Sequence, residues 1–237
     1  TLATKSSMHI AIVGYGSAGQ ALAVALSGDG HRVEVFERVP DPGPVGAGFL
    51  LQPTGLSVLW RLGLLDAALE HGAVVRRLYG ETIASRKVMD MRYRELHPAL
   101  FGLGLQRGAI FELLDRAWTE ARRLHCGREI VHVDHERGVL RDDHGDEHGP
   151  FDLVVVADGS ASKLRAEIGE IVFDRPYPWG AQWCLVPPGD WPWPDDLRQR
   201  YRPARRMVGM LPVGTRPGDP IPRLSFFWSL PAAALPD

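Results

Sequence analysis

The first forty residues divide into apolar and polar stretches that predict a strand, a helix and a second strand. His9–Val13 is a short run of β-favouring residues, residues 18–27 are rich in helix-favouring Ala and Leu, and Arg32–Phe36 alternates between polar and apolar positions. Together these patterns predict a βαβ unit whose second strand is parallel to the first and ends at Glu37. Such a unit is typical of an α/β fold of the Rossmann type.

A glycine-rich loop joins the first strand to the helix. In the dinucleotide-binding motif the first glycine permits a tight turn, the second lets the backbone approach a pyrophosphate, and the third allows the helix to pack closely on the strand. The backbone N–H groups at the start of the helix then face the anion. The residues that we expect to contact a dinucleotide here are Gly14, Gly16, Ser17, Ala18 and Gly19. The alternative is a tight turn without a ligand.

An acidic residue follows the second strand at a suitable distance. Glu37 lies eighteen residues after Gly19, close to the ~20 expected for the acid that accepts hydrogen bonds from a ribose hydroxyl. A carboxylate at this position also disfavours a 2′-phosphate. Arg38, next to it, is a candidate to cover the adenine or to meet a phosphate, and a solvated surface arginine is an equally good interpretation.

A second chemical pattern follows the apolar run Leu153–Ala157. This run does not alternate, which predicts a central parallel strand covered on both faces. Ligands bind in the crevice at the carboxyl ends of such strands. Here Gly159 lets the chain turn away, and Asp158 and Arg165 supply opposite charges. The alternative is a structural turn in which Asp158 pairs with Arg165.

The glycine loop and the later Asp-Gly segment, in this order, resemble two fingerprints of FAD-dependent monooxygenases of the para-hydroxybenzoate hydroxylase type, the class A aromatic hydroxylases. The resemblance extends from about Ile10 to Leu230. It implies that the chain binds FAD and that Asp158, Gly159 and Arg165 contact it. It further implies that NADH or NADPH is the reductant and that one oxygen atom passes to an aromatic or similar small organic substrate. No side chain is identified as a catalytic acid or base.

Two further segments carry the resemblance. Residues 46–54, followed by a helical pattern over 55–65, look like the family's loop that runs past the flavin. Residues 104–107 precede a helix with Ile110 and Leu114 on one face, and resemble the place where the family has an Arg or Gln near the FAD ribityl chain and phosphates. Arg107 is therefore a candidate FAD ligand, and a solvated arginine at a helix N-terminus is the alternative.

The remaining sequence predicts a second domain. Residues 75–93 and 180–186 alternate as sheet strands do, and aromatic residues and prolines concentrate after Ile168. We expect an α/β protein with a Rossmann-like FAD-binding domain on a parallel sheet and a second domain on an antiparallel β-sheet. The expected FAD-binding domain comprises residues 1–75 and 107–170, and the expected substrate-binding domain comprises residues 76–106 and 171–237. The resemblance implies that the second sheet covers the flavin ring and builds the substrate pocket.

Composition limits the partners. The 237 residues include 27 Lys and Arg against 29 Asp and Glu, so the chain has no general attraction for nucleic acid or anionic membranes. Two separate cysteines indicate a reducing compartment. No apolar run approaches the roughly 18–20 residues of a membrane span, so we expect a cytoplasmic protein. Four histidines between 132 and 148 lie among acidic residues without a known ligand spacing, so we expect no metal site.

The family has a later Gly-Asp element, before a long helix, that completes its flavin site. Gly218-Asp219 lies in a Pro-rich turn between two strand patterns and does not match that element. We therefore expect either that the chain is C-terminally incomplete or that a second polypeptide completes the site. The alternative functions are another FAD-dependent oxidoreductase, such as a reductase, and a partial flavin-binding chain that is inactive alone.

Overall fold

A computed structural model describes residues 6–44, 46–119, 122–202 and 206–234. The strands are β1 (His9–Val13), β2 (Arg32–Glu37), β3 (Gly48–Leu51), β4 (Ala73–Val75), β5 (Arg77–Thr82), β6 (Lys87–Arg92), β7 (Gly102–Gln106), β8 (Arg123–Cys126), β9 (Ile130–Asp134), β10 (Val139–Asp142), β11 (Glu147–His148), β12 (Leu153–Val156), β13 (Trp179–Val186), β14 (Asp196–Arg202), β15 (Arg206–Arg216) and β16 (Asp219–Pro231). The helices are α1 (Ser17–Gly28), α2 (Pro53–Arg61), α3 (Leu65–His71), α4 (Arg107–Ala117) and α5 (Arg165–Ile168), with 3-10 turns at Tyr93–Glu95 and Ala232–Ala234.

The chain forms two compact units. The first unit comprises residues 1–43 and 114–174, and the second unit comprises residues 44–113 and 175–237. The division differs from the domain ranges expected from the sequence, because residues 44–75 and 107–113 group with the second unit and residues 171–174 group with the first. The reason is strand pairing: β3 and β4 both pair with β7, so the segments on either side of α2 and α3 fold together.

The first unit contains the predicted βαβ unit on a parallel sheet. Its strand order is β12-β1-β2-β8, and all three pairings are parallel. A small antiparallel sheet, β9-β10-β11, belongs to the same unit. Apolar side chains of the two sheets, among them Ala11, Phe36 and Leu140, form one buried core cluster. The strand bounds and the parallel pairing of β1 and β2 are as predicted.

The prediction that the apolar strand at 153–157 is central and covered on both faces is wrong for the described residues. β12 is an edge strand there, with β1 as its single partner, and Leu153 is 42% exposed. Val154 and Val156 pack against the core cluster, so alternate side chains of this strand have different surroundings. An unbroken apolar run therefore occurs here without burial on both faces.

The second unit is built on antiparallel pairing, as predicted. Its six-stranded sheet has the order β13-β16-β15-β14-β5-β6, in which β14 and β5 are the parallel pair. A three-stranded sheet, β3-β7-β4, lies in the same unit. Val75, Leu78, Leu211 and Val213 form its core, with Leu50 of β3 packed against them. The combination of a parallel sheet with antiparallel sheets confirms the expected α/β fold class.

Residues 46–65 differ from the sequence prediction in two respects. The segment 46–54, expected to be a loop, contains β3, because Gly48–Leu51 pairs antiparallel with β7. The helix expected over 55–65 begins at Pro53 and ends at Arg61. Proline suits a first helical position because it has no N–H to leave unpaired, and Gly63, with φ of 71°, turns the chain out of the helix.

No helix in the described ranges combines the length and apolar character that a membrane crossing requires. The cytoplasmic location stays a prediction.

One buried carboxylate joins three strands of the parallel sheet. Glu34 of β2 is 8% exposed and contacts His9 of β1 at 2.9 Å, Arg123 of β8 at 3.2 Å and His125 of β8 at 3.0 Å. Arg32, on its own strand, lies 2.8 Å away. Burial alone would raise the pKa of Glu34, but the hydrogen bonds from His9, Arg32 and His125 outweigh it and lower the pKa to about 2.

This cluster predicts an acid-sensitive contribution to stability. Because the folded pKa of Glu34 lies below its ordinary value of 4.5, the contribution is present above about pH 4.5 and is lost as the pH falls towards about 2. We expect Glu34→Gln to lower the free energy of unfolding at pH 7 by about 1–3 kcal/mol and to flatten the loss of stability below pH 4.5. Denaturant unfolding across this pH range measures both effects, with exposed Glu136→Gln as control. An unchanged acid profile would contradict the role of Glu34.

Candidate functional site

A cavity of about 250 Å³ lies in the first unit at the carboxyl ends of its parallel strands. Its walls come from four places: the glycine loop after β1, the end of β2, residues 128–130 after β8, and residues 157–163 after β12. We call it the glycine-loop cavity. Parallel strands of an open α/β sheet bind ligands at this edge. The topology thus brings together the two sequence patterns that lie more than 130 residues apart.

The three glycines of the loop have different environments. Gly14 has φ of 102°, and a Cβ there would lie 2.5 Å from the backbone oxygen of Ala157. A Cβ at Gly19 would lie 1.9 Å from the backbone oxygen of Gly14. At Gly16, by contrast, a Cβ would meet no atom within 4 Å. Packing therefore requires the first and third glycines, whereas Gly16 leaves open space beside the backbone of the cavity wall.

The start of α1 presents backbone donors. Gly16 is the N-cap residue, and no side chain hydrogen-bonds to cap this end. The N–H groups of the first helical turn, which begins with Ser17 and Ala18, have no partner within the helix by geometry. A pyrophosphate beside Gly16 would accept these hydrogen bonds and meet the positive end of the helix dipole.

Glu37 is held at the end of β2 by two backbone amides. Its Oε2 accepts a hydrogen bond from the N–H of Tyr15 at 2.7 Å, and its Oε1 accepts one from the N–H of Val39 at 2.8 Å. A carboxylate has about four acceptor positions, so the fixed group retains capacity for ribose hydroxyls. Glu37 and Arg38 both line the cavity.

The cavity has two cationic residues that the sequence patterns missed. Arg128 contacts Asp142 at 2.8 Å and Asp146 at 2.7 Å, and Lys163 contacts Glu129 at 2.8 Å. Both cations are therefore balanced by carboxylates, and within the described ranges no ion pair is present for Arg38. The position of Arg128 could have been predicted from its place in the chain, because it follows β8 and so lies at the carboxyl edge of the same sheet.

Asp142 pairs with Arg128 but does not itself line the cavity. Its side chain is wholly buried and also accepts hydrogen bonds from His148 and from the N–H groups of His144 and Asp146. Burial would raise the pKa of Asp142, but these bonds and the one from Arg128 hold it far below its ordinary value. Asp142, Asp143 and His144 place ligand atoms within 4.8 Å of one another, yet the contacts of Asp142 are accounted for by protein donors.

The Asp-Gly segment contributes in part to the cavity. Asp158 and Gly159 line it, and Gly159 has φ of 85°, which suits the sharp turn after β12. Arg165 is not among the lining residues. Its side chain donates to the backbone oxygens of Ser160 and Ser162 and contacts Asp174 at 3.3 Å. Asp158 is thus not its ion-pair partner in the structure, and a cofactor role for Arg165 stays a prediction.

Arg107 lies in the second unit, at the start of α4. Its N–H donates to the backbone oxygen of Ala47 at 2.9 Å. A Cβ at Gly46, where φ is 116°, would lie 2.7 Å from Cδ of Arg107. The arginine stem therefore packs on the loop before β3, and its side chain is exposed. Arg107 therefore contacts the segment that resembles the family's flavin loop. A contact between Arg107 and FAD stays a prediction.

The fold and the cavity are typical of a nucleotide-binding α/β protein. The comparison with protein families identifies which nucleotide-binding family this is. The model of the family described as "FAD binding domain" matches residues 7–215. The chain therefore belongs to the FAD binding domain family, and FAD is its cofactor.

Relatives and solved structures agree with this assignment. The chain is 32% identical over 167 residues to 3-amino-4-hydroxybenzoate 2-monooxygenase of Streptomyces cremeus, covering 68% of the chain and 42% of the relative. It is 28% identical over 183 residues to the FAD-dependent monooxygenase OpS4 of Beauveria bassiana, covering 73% of the chain and 42% of the relative. The chain thus spans less than half the length of these two relatives.

Solved structures share the fold of this chain. It matches the tetrameric form of 2-methyl-3-hydroxypyridine-5-carboxylic acid oxygenase with a TM-score of 0.78 at 24% identity, over 97% of this chain and 60% of that one. It also matches a variant of HpxO from Klebsiella pneumoniae in complex with FAD, with a TM-score of 0.76 at 21% identity, over 97% and 58% of the two chains.

The residues of the cavity fit the dinucleotide part of FAD. The open backbone at Gly16 leaves space for a pyrophosphate, and the uncapped start of α1 supplies donors. The carboxylate of Glu37, fixed by two backbone N–H groups, would supply acceptors for a ribose.

The different environments of the glycines predict different costs of substitution. In the protein without FAD, we expect Gly19→Ala to lower the free energy of unfolding by at least about 2 kcal/mol, because the new methyl group meets a backbone oxygen that cannot move aside. Gly16→Ala is the matched control, and we expect a change within about 0.5 kcal/mol. Denaturant unfolding followed by circular dichroism compares the variants. Equal losses at the two positions would contradict the packing role of Gly19.

Proposed function

We propose that the chain is the FAD-binding and substrate-covering part of a flavin-dependent monooxygenase that uses NADH or NADPH and oxygen to hydroxylate a small aromatic or similar organic molecule. The observation that carries the proposal is the family match over residues 7–215, together with a glycine-loop cavity that suits the dinucleotide. Relatives support the substrate class, because they include 6-hydroxynicotinate 3-monooxygenase of Pseudomonas fluorescens and the Streptomyces cremeus enzyme named above.

We assign the dinucleotide to the glycine-loop cavity. The backbone at Gly16, Ser17 and Ala18 faces the pyrophosphate, and Gly14 and Gly19 set the shape of the loop. Glu37 accepts hydrogen bonds from the adenosine ribose. Arg38 is the candidate cation for a phosphate or the adenine, because it lines the cavity and no ion pair is present for it within the described ranges. Asp158 and Gly159 form the opposite wall.

The second unit supplies the remaining roles. Arg107, packed on the loop before β3, is the candidate for the FAD ribityl chain and phosphates. The antiparallel sheet is the candidate substrate domain. When bound, FAD supplies the redox and oxygen-transfer chemistry, and the protein binds, orients and excludes water. The contribution of this chain's residues is thus positioning, and none is assigned as an acid or base.

Two alternatives remain open to experiment. One is another FAD-dependent oxidoreductase, such as a reductase. The other is a partial flavin-binding chain that is inactive alone or is completed by a second polypeptide. We propose no nucleic-acid partner, because the net charge of -2 gives no general attraction for phosphate backbones.

The activity is tested with the purified protein and added FAD. We expect a stable flavin absorbance spectrum and NAD(P)H-dependent oxygen uptake that increases when a hydroxylated aromatic acid is added. An oxygen electrode and the flavin spectrum measure the two properties separately. Oxidation of NAD(P)H without oxygen transfer to the aromatic acid would favour the reductase, and FAD binding without any turnover would favour the partial chain. Failure to bind FAD would contradict the proposal for this chain.

The ribose assignment is tested at Glu37. We expect Glu37→Gln to weaken FAD binding by about tenfold, because the amide removes the charge and one of the two acceptor oxygens. Quenching of flavin fluorescence on titration gives the dissociation constant. Exposed Glu136→Gln is the control, and the unfolding midpoint without FAD reports any structural loss. An unchanged dissociation constant would show that Glu37 does not bind the ribose.

A further inference from the structure

The second unit contains a cavity of about 390 Å³ that none of the proposed FAD-binding residues lines. It lies on one face of the six-stranded sheet, under the segment between β13 and β14 that carries Trp191 and Trp193. Along β15, Val208 and Met210 line it, whereas Leu211 and Val213 pack in the core with Val75. Since successive strand residues face opposite sides, the cavity and the core occupy opposite faces of the sheet. We call it the tryptophan cavity.

Four aromatic residues line the tryptophan cavity: Tyr79, Trp191, Trp193 and Phe226. The rings of Trp191 and Trp193 meet edge to face with centroids 5.0 Å apart, and Nε1 of Trp191 donates to the backbone oxygen of Trp193 at 3.0 Å. Phe226 and Met210 complete the apolar lining. Trp193 is 41% exposed and Val208 is 39% exposed. The volume lies within the range of about 300–1,000 Å³ that is usual for small-molecule sites.

A cation is built into this aromatic wall. The guanidinium carbon of Arg198 lies 4.4 Å from the ring centroid of Tyr79 and 4.3 Å from that of Trp193. Its side chain is only 19% exposed and reaches Asp196 at 2.8 Å. Two aromatic rings and a carboxylate thus fix the orientation of the guanidinium, which has five N–H donors in a rigid plane.

The charges on this sheet face favour an anion. The carboxylates are shared, because Asp196 contacts both Arg198 and Arg77, and Asp90 contacts Arg77, Lys87 and Arg92. Arg200, which is 61% exposed, contacts Glu81 at 3.0 Å, and this carboxylate also lines the cavity. These ion pairs therefore comprise five cations (Arg77, Lys87, Arg92, Arg198 and Arg200) and three carboxylates (Glu81, Asp90 and Asp196). A ligand carboxylate would reduce this excess of positive charge. A planar ring on the same ligand would suit the aromatic side chains of the wall.

We propose that the tryptophan cavity is a binding site for a planar aromatic carboxylate, with the ring against Trp191, Met210 and Phe226 and the carboxylate facing Arg198 and Arg200. Guanidinium and carboxylate match in geometry and charge, and flat aromatic rings fill such a cavity with little loss of conformational freedom. Leu50 and Gly48 of β3, beside the loop proposed for FAD, pack on the core face against Val213. The tryptophan cavity on the opposite face therefore stands apart from the proposed flavin site.

The probe is 2-naphthoate, titrated by calorimetry into the FAD-saturated protein, with 2-naphthamide as its neutral analogue of the same shape. We expect one 2-naphthoate per chain and at least about tenfold weaker binding of 2-naphthamide, because the amide lacks the charge that faces the arginines. Repeating the titration without FAD should give the same affinity. The result therefore remains interpretable even if the monooxygenase proposal fails.

Variants locate the probe. Met210→Trp should abolish 2-naphthoate binding by filling the cavity, whereas Val88→Trp, at an exposed position on β6 of the same sheet, should leave it unchanged. Arg198→Met should remove the preference for 2-naphthoate over 2-naphthamide, and Arg198→Lys should keep part of it.

The same titrations can overturn the proposal. Absence of 2-naphthoate binding to the unaltered protein, or binding that Met210→Trp and Arg198→Met leave intact, would do so. Circular dichroism checks that each variant is folded. If Met210→Trp does not fold, Val208→Trp at the half-exposed neighbouring position takes its place.

Discussion

The contact among Gly14, Gly19 and the backbone of Ala157 is the constraint on which the first unit depends. It brings the turn after β1, the start of α1 and the end of β12 within van der Waals distance, with no room for a side chain at either glycine. The glycine-loop cavity exists because these three elements meet at one edge of the parallel sheet. Gly16, by contrast, has open space beside it, so closely packed and open glycines alternate within six residues.

The parts of this site that follow from local sequence were predictable. The strand, loop and helix from His9 to Gly28 depend on adjacent residues and on glycine spacing, and the structure has them within one residue of the expected bounds. Glu37 was found because its distance from the loop is set by the length of one helix and one strand. Its carboxylate lines the cavity, and its bond to a ribose stays a prediction.

The missed features depend on pairing between distant segments. The sequence of β3 carries a loop-like Gly-rich signal, and its strand conformation comes from β7, more than fifty residues later. Arg128 and Lys163 enter the cavity because β8 and the turn after β12 end at the same sheet edge. Arg198 lies in an arginine-rich stretch of sequence, and the two aromatic rings that hold it come from Tyr79 and Trp193. Each of these contacts joins segments that are separate in sequence, so no local sequence pattern predicts them.

The Glu34 cluster also has a consequence for how the chain acquires its structure. The carboxylate on β2 bonds to Arg123 and His125, which follow it by about ninety residues. Between them lies 44–113, a large part of the second unit. During synthesis on the ribosome, β1 and β2 therefore emerge long before β8 and β12, and their sheet remains unfinished until the intervening segment has been made. Such non-local closure slows folding, and the two early strands have exposed edges throughout this interval.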